Sequence, residues 1–385
     1  MQQQISNISI IRNHFISFAI RISNISIIRN PKTSLPLMPP RCSNMELLRI
    51  LAMLMVMVLH ADFETLGYPR PSVVCAEPLG WLGMIFTEEA CICCVDVFVL
   101  ITGWFGVHFK WRNFLRLCFL AFFTAGLMSA LLWTCRGEAP GTAFEMLRAS
   151  WTYWFVCSYL VLYLFTPSLN AFVEKTDGRS LGRFLMGFYL FVIPFSYALS
   201  DLERGFTAVS LMGLYLLGRH LRLHVAPRLQ AVPRSRFLWT YAALVVVMTL
   251  AYWAHIYFRN PWFPHLPSIL TSYTNPLCIA CAACLVLYFS RLSFHSRTVN
   301  WLAAGSLCAY LTHQQIFMRP LYFGTLRDID AALPSPLYPL GAAAFIAVIF
   351  LLSVCIGHFG TWCFEKLTQL KPIFHLETLL KKLSL

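Results

Sequence analysis

Near the start of the chain Glu46-Leu47-Leu48-Arg49 is followed by ten apolar residues, Ile50 to Leu59, and then by His60. Charged and imidazole groups bracketing such a run are costly in a hydrophobic segment unless they face a bundle interior or a wet cavity. Eleven residues at about 100° each come to about 1100°, within roughly 20° of whole turns. Arg49 and His60 therefore share one helix face, about 16 Å apart along its axis. A guanidinium forms paired, charge-assisted hydrogen bonds with an anion such as a phosphate. An imidazole that titrates near neutrality either takes a proton from a hydroxyl or carries a transferred group on its own nitrogen. Snorkelling of Arg49 and a helix end at His60 would explain each residue alone, but not their common face.

Other residues offer supporting chemistry. His313 lies one turn from Tyr310 in Tyr310-Leu311-Thr312-His313, and either could bind an acceptor or orient His60. Asp96, with Glu88 and Glu89, could hold the imidazole in one tautomer. Arg112 and Arg116 flank Asn113-Phe114-Leu115 at the start of an apolar stretch. No role is assigned to the remaining histidines, His108, His220, His224, His255, His265, His295, His358 and His375. The chain has fourteen cysteines, and its C-x2-C-x2-C run, Cys278, Cys281 and Cys284, lies among Ala, Ile and Leu. Zinc and cluster ligands usually come from loops, so these thiols read as small apolar packing residues and no metal site is expected. Cys75 and Cys135 fall on one side of the membrane and could pair. The chain carries no Walker A sequence, dinucleotide fingerprint or HExxH helix.

The elements that must position these groups follow from composition. The 385 residues are 58% hydrophobic and 12% charged, with a mean hydropathy of +0.63. A soluble enzyme is excluded, and so is a disordered chain. Ten stretches approach the roughly 20 apolar residues needed to cross a bilayer: 46–62, 88–107, 113–135, 149–173, 181–200, 206–224, 236–258, 268–290, 299–323 and 338–364. The fold expected is an all-α integral membrane bundle of about ten transmembrane helices. With a cytoplasmic N-terminus, the inside loops and the C-terminal tail hold sixteen Lys and Arg and the outside segments seven. The positive-inside bias then places both termini in the cytoplasm. The net charge of +13 is mostly this topology signal, and no nucleic-acid partner is expected. Trp151, Tyr153 and Trp154 fall at the outer interface, where an aromatic belt is the default reading and sugar stacking the sharper one.

Residues 1–40 stand apart. The nonapeptide at 5–13, Ile-Ser-Asn-Ile-Ser-Ile-Ile-Arg-Asn, recurs unchanged at 22–30. The segment reads as a repeat-containing extension, disordered or translated upstream of a true start at Met38 or Met45. An interfacial amphipathic segment is the alternative. The working unit is 41–385, a membrane domain with ten spans.

Arg49-x10-His60, with its acid three residues before the arginine, resembles the signature of the acyltransferase type 3 family. Val95-Asp96-Val97-Phe98-Val99-Leu100-Ile101-Thr102-Gly103 is similar to that family's second-span pattern, with Thr for Ser. Tyr153-Trp154-Phe155 followed by Tyr159-Leu160-Val161-Leu162-Tyr163 resembles the fourth span of its exopolysaccharide and capsule branch. Tyr310-Leu311-Thr312-His313 resembles a Tyr-Leu-x-His element near the domain's end. The family often carries Arg-x-x-Arg before its third span. Here Arg116 is the second arginine, while Asn113 takes the first position with Arg112 beside it.

The resemblance implies a multi-pass enzyme of the cell (inner) membrane. It would move an acyl group, expected to be acetyl, to a hydroxyl of a surface polysaccharide or lipid-linked glycan precursor. Acyl-CoA would be a co-substrate, with no bound cofactor. The partners implied are acyl-CoA, the glycan acceptor and the bilayer. The anionic donor would enter at the cytoplasmic arginines, Arg49, Arg112 and Arg116. His60 would do the chemistry, and Asp96, Tyr310 and His313 would bind the acceptor or orient the imidazole. A flippase or exporter of glycan precursors is the alternative function, because transporters also place ionisable residues at mid-depth.

Overall fold

The computed structural model describes residues 42–137, 153–198 and 204–369, and all regular structure among them is helical. The N-terminal repeat and Trp151 lie outside the described residues. The principal helices are α1 (Ser43–Ala61), α2 (Pro78–Cys91), α3 (Cys94–Phe105), α4 (Trp111–Arg136), α5 (Trp154–Lys175), α6 (Gly178–Ala198), α7 (Ala208–His220), α8 (Arg234–Tyr257), α9 (Pro276–Phe289), α10 (Arg297–Gly305), α11 (Leu307–His313), α12 (Arg319–Ala332) and α13 (Tyr338–Thr368). By length and composition α4, α5, α8 and α13 each suffice to cross a membrane.

α1 is the hub. It packs against α2, α3, α9, α10, α11, α12 and α13, burying Leu48, Ala52, Met53, Val56 and Met57 in the main apolar core. Hydrogen bonds fix which ends of the helices lie together. Ser43 Oγ donates to Asn300 Oδ1 at 3.0 Å and Asn44 Nδ2 to the Phe289 carbonyl at 2.9 Å. At the same end Asn170 Nδ2 donates to the Val107 carbonyl at 3.1 Å, and Arg291 ties down the Leu229 and Val232 carbonyls. This basic end gathers the loops expected to be cytoplasmic. At the opposite end Tyr338 Oη donates to the Ala61 carbonyl at 2.6 Å and Arg327 Nε to that of Thr65 at 3.2 Å.

Three expected spans are broken, and the eighth, 268–290, is a short helix at Leu266–Leu270, a non-helical stretch over 271–275 and then α9. The second, 88–107, divides between α2 and α3 around Ile92 and Cys93. Tyr241 Oη donates to the Ala90 carbonyl at 2.7 Å, the acceptor that a continuous helix would give to the amide four residues on. The ninth, 299–323, is a correction. It is α10 and α11 with a break at Gly305 and Ser306, it ends at His313, and α12 is a separate helix. Gln315 Oε1 accepts from the Phe317 and Met318 amides at 2.7 and 3.0 Å, and Pro320 suits only a first turn. The segment 61–87, expected to be a loop, holds short helices at Phe63–Leu66 and Pro71–Ala76 and the start of α2.

Two glycine contacts set the helix spacing. A Cβ on Gly218 of α7 would lie 2.5 Å from the Leu100 carbonyl oxygen and 3.1 Å from the Gly103 Cα. A Cβ on Gly305 would lie 2.6 Å from the Val354 carbonyl oxygen. Such small residues let membrane helices approach backbone to backbone. Gly218→Ala is therefore expected to lower the melting temperature in detergent, at an overpacking cost of about 1–3 kcal/mol. Gly126→Ala, whose Cβ meets nothing within 4 Å, should leave it unchanged or raise it. Equal melting curves for the two variants would refute the close-contact role.

Candidate functional site

The α1 face anticipated from spacing exists. Arg49, Met53, Val56 and His60 recur at helical intervals and all line one cavity of about 420 Å³. Its walls come from α1, α3, α4, α5, α10, α11 and α13. Arg49, Asn113, Arg116, His358 and Thr361 lie towards the basic end, and His60, Trp154, Phe155, Tyr273 and Tyr310 towards the other. The volume falls in the range of small-molecule sites.

At the inner end His60 Nδ1 lies 2.8 Å from His313 Nε2, with ring centroids 5.0 Å apart. The other His313 nitrogen, Nδ1, is bonded to the Ala309 carbonyl. A carbonyl only accepts, so Nδ1 of His313 carries a proton and donates it. In the neutral ring Nε2 of His313 is then an acceptor, and the proton between the rings belongs to His60 Nδ1. The chain of bonds leaves the lone pair of His60 on Nε2. Among the described residues that nitrogen has no hydrogen-bond partner, and the His60 ring lines the cavity. Thr65 Oγ1 donates to the His60 carbonyl at 2.6 Å, closing the end of α1.

At the other end Arg49 is paired with Glu46 one turn back. A guanidinium has five N–H donors, so this contact orients it and leaves others for a ligand. Tyr159 Oη and Thr102 Oγ1 stand 3.3 Å apart midway along the wall. His358 Nε2 contacts the Trp301 carbonyl at 2.9 Å, and its ring stacks on Trp301 at 4.5 Å.

The other expected residues divide. Tyr310 lines the cavity, and His313 meets His60. Asp96 does not reach the imidazole. It is fully buried in the first turn of α3, where Cys278 Sγ donates to its Oδ2 at 3.4 Å. No hydrogen bond among the described residues joins Glu88 or Glu89 to either histidine, so His313 takes the orienting place. Arg112 is exposed and outside the cavity wall, whereas Asn113, Arg116, Leu117 and Leu120 line it at helical spacing. The aromatic-belt reading of Tyr153 and Trp154 gives way too. Tyr153 is buried and donates to the Leu311 carbonyl at 2.6 Å, and Trp154 lines the cavity, stacked on Tyr273 at 5.9 Å. Cys75 and Cys135 are both free thiols. His358 and Tyr273 were not anticipated, since a histidine or tyrosine late in an apolar run has no local signal that says which face it takes.

A family model described as an acyltransferase domain matches residues 43–358. No curated protein and no solved structure matches the chain.

The bond chain predicts the tautomer directly. Nitrogen-15 NMR of histidine-labelled protein should show His60 protonated on Nδ1, and His313→Ala should give a mixture of both neutral forms. His313→Gln offers an amide oxygen to His60 and an N–H to Ala309, and should restore the Nδ1–H form. A native His60 protonated mainly on Nε2 would contradict the arrangement.

Proposed function

The chain belongs to the acyltransferase type 3 family, whose members are membrane acyltransferases, and on that premise we propose that it acylates a hydroxyl of a cell-surface polysaccharide or lipid-linked glycan precursor, taking the acyl group, acetyl first of all, from cytoplasmic acyl-CoA. The observation that carries this reading is one cavity with two arginines at its basic end and the Nε2 lone pair of His60 at its inner end. Acyl-CoA has an anionic nucleotide and a long neutral arm ending in a thioester. About 420 Å³ has room for the arm and acyl group, while the phosphates stay with Arg116 and Arg49 at the mouth. The basic end would face the cytoplasm of the inner membrane, as the distribution of Lys and Arg indicates.

In this mechanism the acceptor hydroxyl lies against His60 Nε2. As its oxygen attacks the thioester carbonyl, Nε2 takes the proton. His60 becomes an imidazolium whose Nδ1–H still donates to His313. The tetrahedral intermediate expels the CoA thiolate, which takes the proton back from Nε2. The products are an ester and free CoA thiol, and the histidine pair returns to its starting state. Tyr310, which lines the same cavity with its ring 6.3 Å from that of His313, would bind the acceptor. Asn113, Arg116 and His358 form the polar rim for the donor, with Arg112 outside it.

Purified protein with labelled acetyl-CoA and a cell-envelope acceptor fraction tests the reading. His60→Ala should cut label transfer by about 10²–10⁴. Arg116→Ala should raise the KM for acetyl-CoA about tenfold, the effect of one lost charge-assisted contact, and Arg112→Ala should leave it within about twofold. Transfer undiminished in His60→Ala would end the mechanism. Glycan export lost in a null strain, with acetylation of the remaining glycan normal, would favour the exporter.

A further inference from the structure

Between the arginines and His60 the cavity is walled mostly by aliphatic and aromatic side chains, with the hydroxyls of Thr102 on α3 and Tyr159 on α5 among them. Tyr159 follows Trp154, at the His60 end, by five residues and precedes Tyr163, towards the basic end, by four. Those intervals are about 7 and 6 Å of helix rise. The Tyr163 hydroxyl is committed to the main chain, accepting from the Lys110 amide at 2.9 Å and donating to the His108 carbonyl at 3.2 Å. The Tyr159 hydroxyl is not.

One carbonyl sets the direction of its bond. Thr102 Oγ1 donates to the Phe98 carbonyl at 3.0 Å, and a carbonyl only accepts, so the single hydroxyl proton of Thr102 is spent. The 3.3 Å contact between Thr102 Oγ1 and Tyr159 Oη is then a donation from tyrosine to threonine. With its proton held there, Tyr159 Oη has only lone pairs to offer a ligand. Ser306, at the break before α11, also lines the cavity, and its Oγ donates to the Ala303 carbonyl at 2.9 Å. These three hydroxyls therefore accept hydrogen bonds from a ligand and give none. An ether or ester oxygen lying against them would set lone pairs against lone pairs, whereas a group carrying an N–H would be paired.

An acyl-CoA carries such a group close to its reacting end. Two methylenes separate the thioester sulfur from the first amide nitrogen of the arm, so a thioester carbonyl at His60 puts that N–H part of the way back towards the arginines, as Tyr159 is. We propose that Tyr159, its own proton held by Thr102, accepts a hydrogen bond from this amide N–H and so sets the depth at which the thioester meets His60. The proposal rests on the acyltransferase reading above and deepens it, because the donor is then recognised by its amide-bearing arm as well as by its phosphates.

The test pairs acetyl-CoA with an analogue in which that amide N–H is replaced by an ester oxygen. Each is titrated calorimetrically into the whole protein in detergent, then supplied as donor with the cell-envelope acceptor fraction. The native protein should bind acetyl-CoA about fivefold more tightly than the analogue, the worth of one hydrogen bond. Tyr159→Phe should weaken acetyl-CoA about fivefold and the analogue by less than about twofold, so that the preference disappears. Thr102→Val releases the tyrosine proton and should narrow the preference, while Thr102→Ser should keep it. In transfer, Tyr159→Phe should lower kcat as well as raise KM, since the thioester is no longer held at one depth. The native comparison and the Thr102 pair decide the matter should Tyr159→Phe lose the native melting curve. A native protein without preference for the amide, or variants that weaken both ligands equally, would overturn the proposal. Either result alongside normal acetyl transfer would spare the acyltransferase reading. An amide preference that depends on Tyr159 in a protein that transfers to no acceptor would do the reverse.

Discussion

The hydrogen bond from His60 Nδ1 to His313 Nε2, fixed in direction because His313 Nδ1 must donate to the Ala309 carbonyl, is the constraint around which the bundle is arranged. A base needs its lone pair on the nitrogen that faces substrate, and an imidazole alone in an apolar cavity would divide its proton between both nitrogens. Here a main-chain carbonyl, which cannot change its role, sets the polarity of both rings. The backbone must therefore hold α11 and α1 at one separation. α1 does so from the centre of the bundle. α11 does so through Tyr153, which clamps the Leu311 carbonyl, and through Thr312, bonded to Ser353 of α13.

The helix breaks serve the same end. A straight ninth span would carry its register on past His313. The break at Gly305 and Ser306 instead lets α10 sit against the α13 backbone, where Gly305 and Gly357 replace side chains with close contact. The turn held by Gln315 then directs the chain into α12. His313 is thus the last residue of a short helix, and the chain beyond it is free to place Arg319 beside Glu64.

What could be read in the sequence was periodic. Arg49 and His60 share a face because the rise and twist of a helix are nearly fixed, and the helical, membrane-embedded class follows from apolar runs that water would not tolerate. What could not be read depends on partners distant in the chain. Tyr241 takes the carbonyl of Ala90 across 151 positions, and no local hydropathy average records that. Asp96 suited an orienting carboxylate by type and depth, yet the helix turn after Cys93 points it at Cys278. Asn113 looked like a departure beside Arg112. Its place in the cavity wall shows that the backbone keeps the face while the charge has moved off it, which leaves Arg116 as the α4 cation of the rim.

Two cavities, of about 420 and 270 Å³, meet at the histidine pair, His60 lining the first and His313 the second. One joins arginines, amide and imidazole groups to aromatic walls, as suits an anionic thioester. The other is lined mostly by apolar side chains, and Thr312, His313, Tyr322 and Ser353 in its wall each have a hydrogen-bond partner. A wall made of water-filled space would conduct protons and admit hydrolysis, and a wall made only of Leu and Ile could not take a proton from the attacking hydroxyl. A pair of bonded imidazoles meets both requirements. When His60 Nε2 gains a proton, Nδ1 keeps its own and its bond to His313 shortens in character from neutral to charge-assisted, so the positive charge is met where it forms without any group having to rotate. In the proposed mechanism only one proton moves, on the face of His60 towards the first cavity, while His313 keeps its bond to the Ala309 carbonyl.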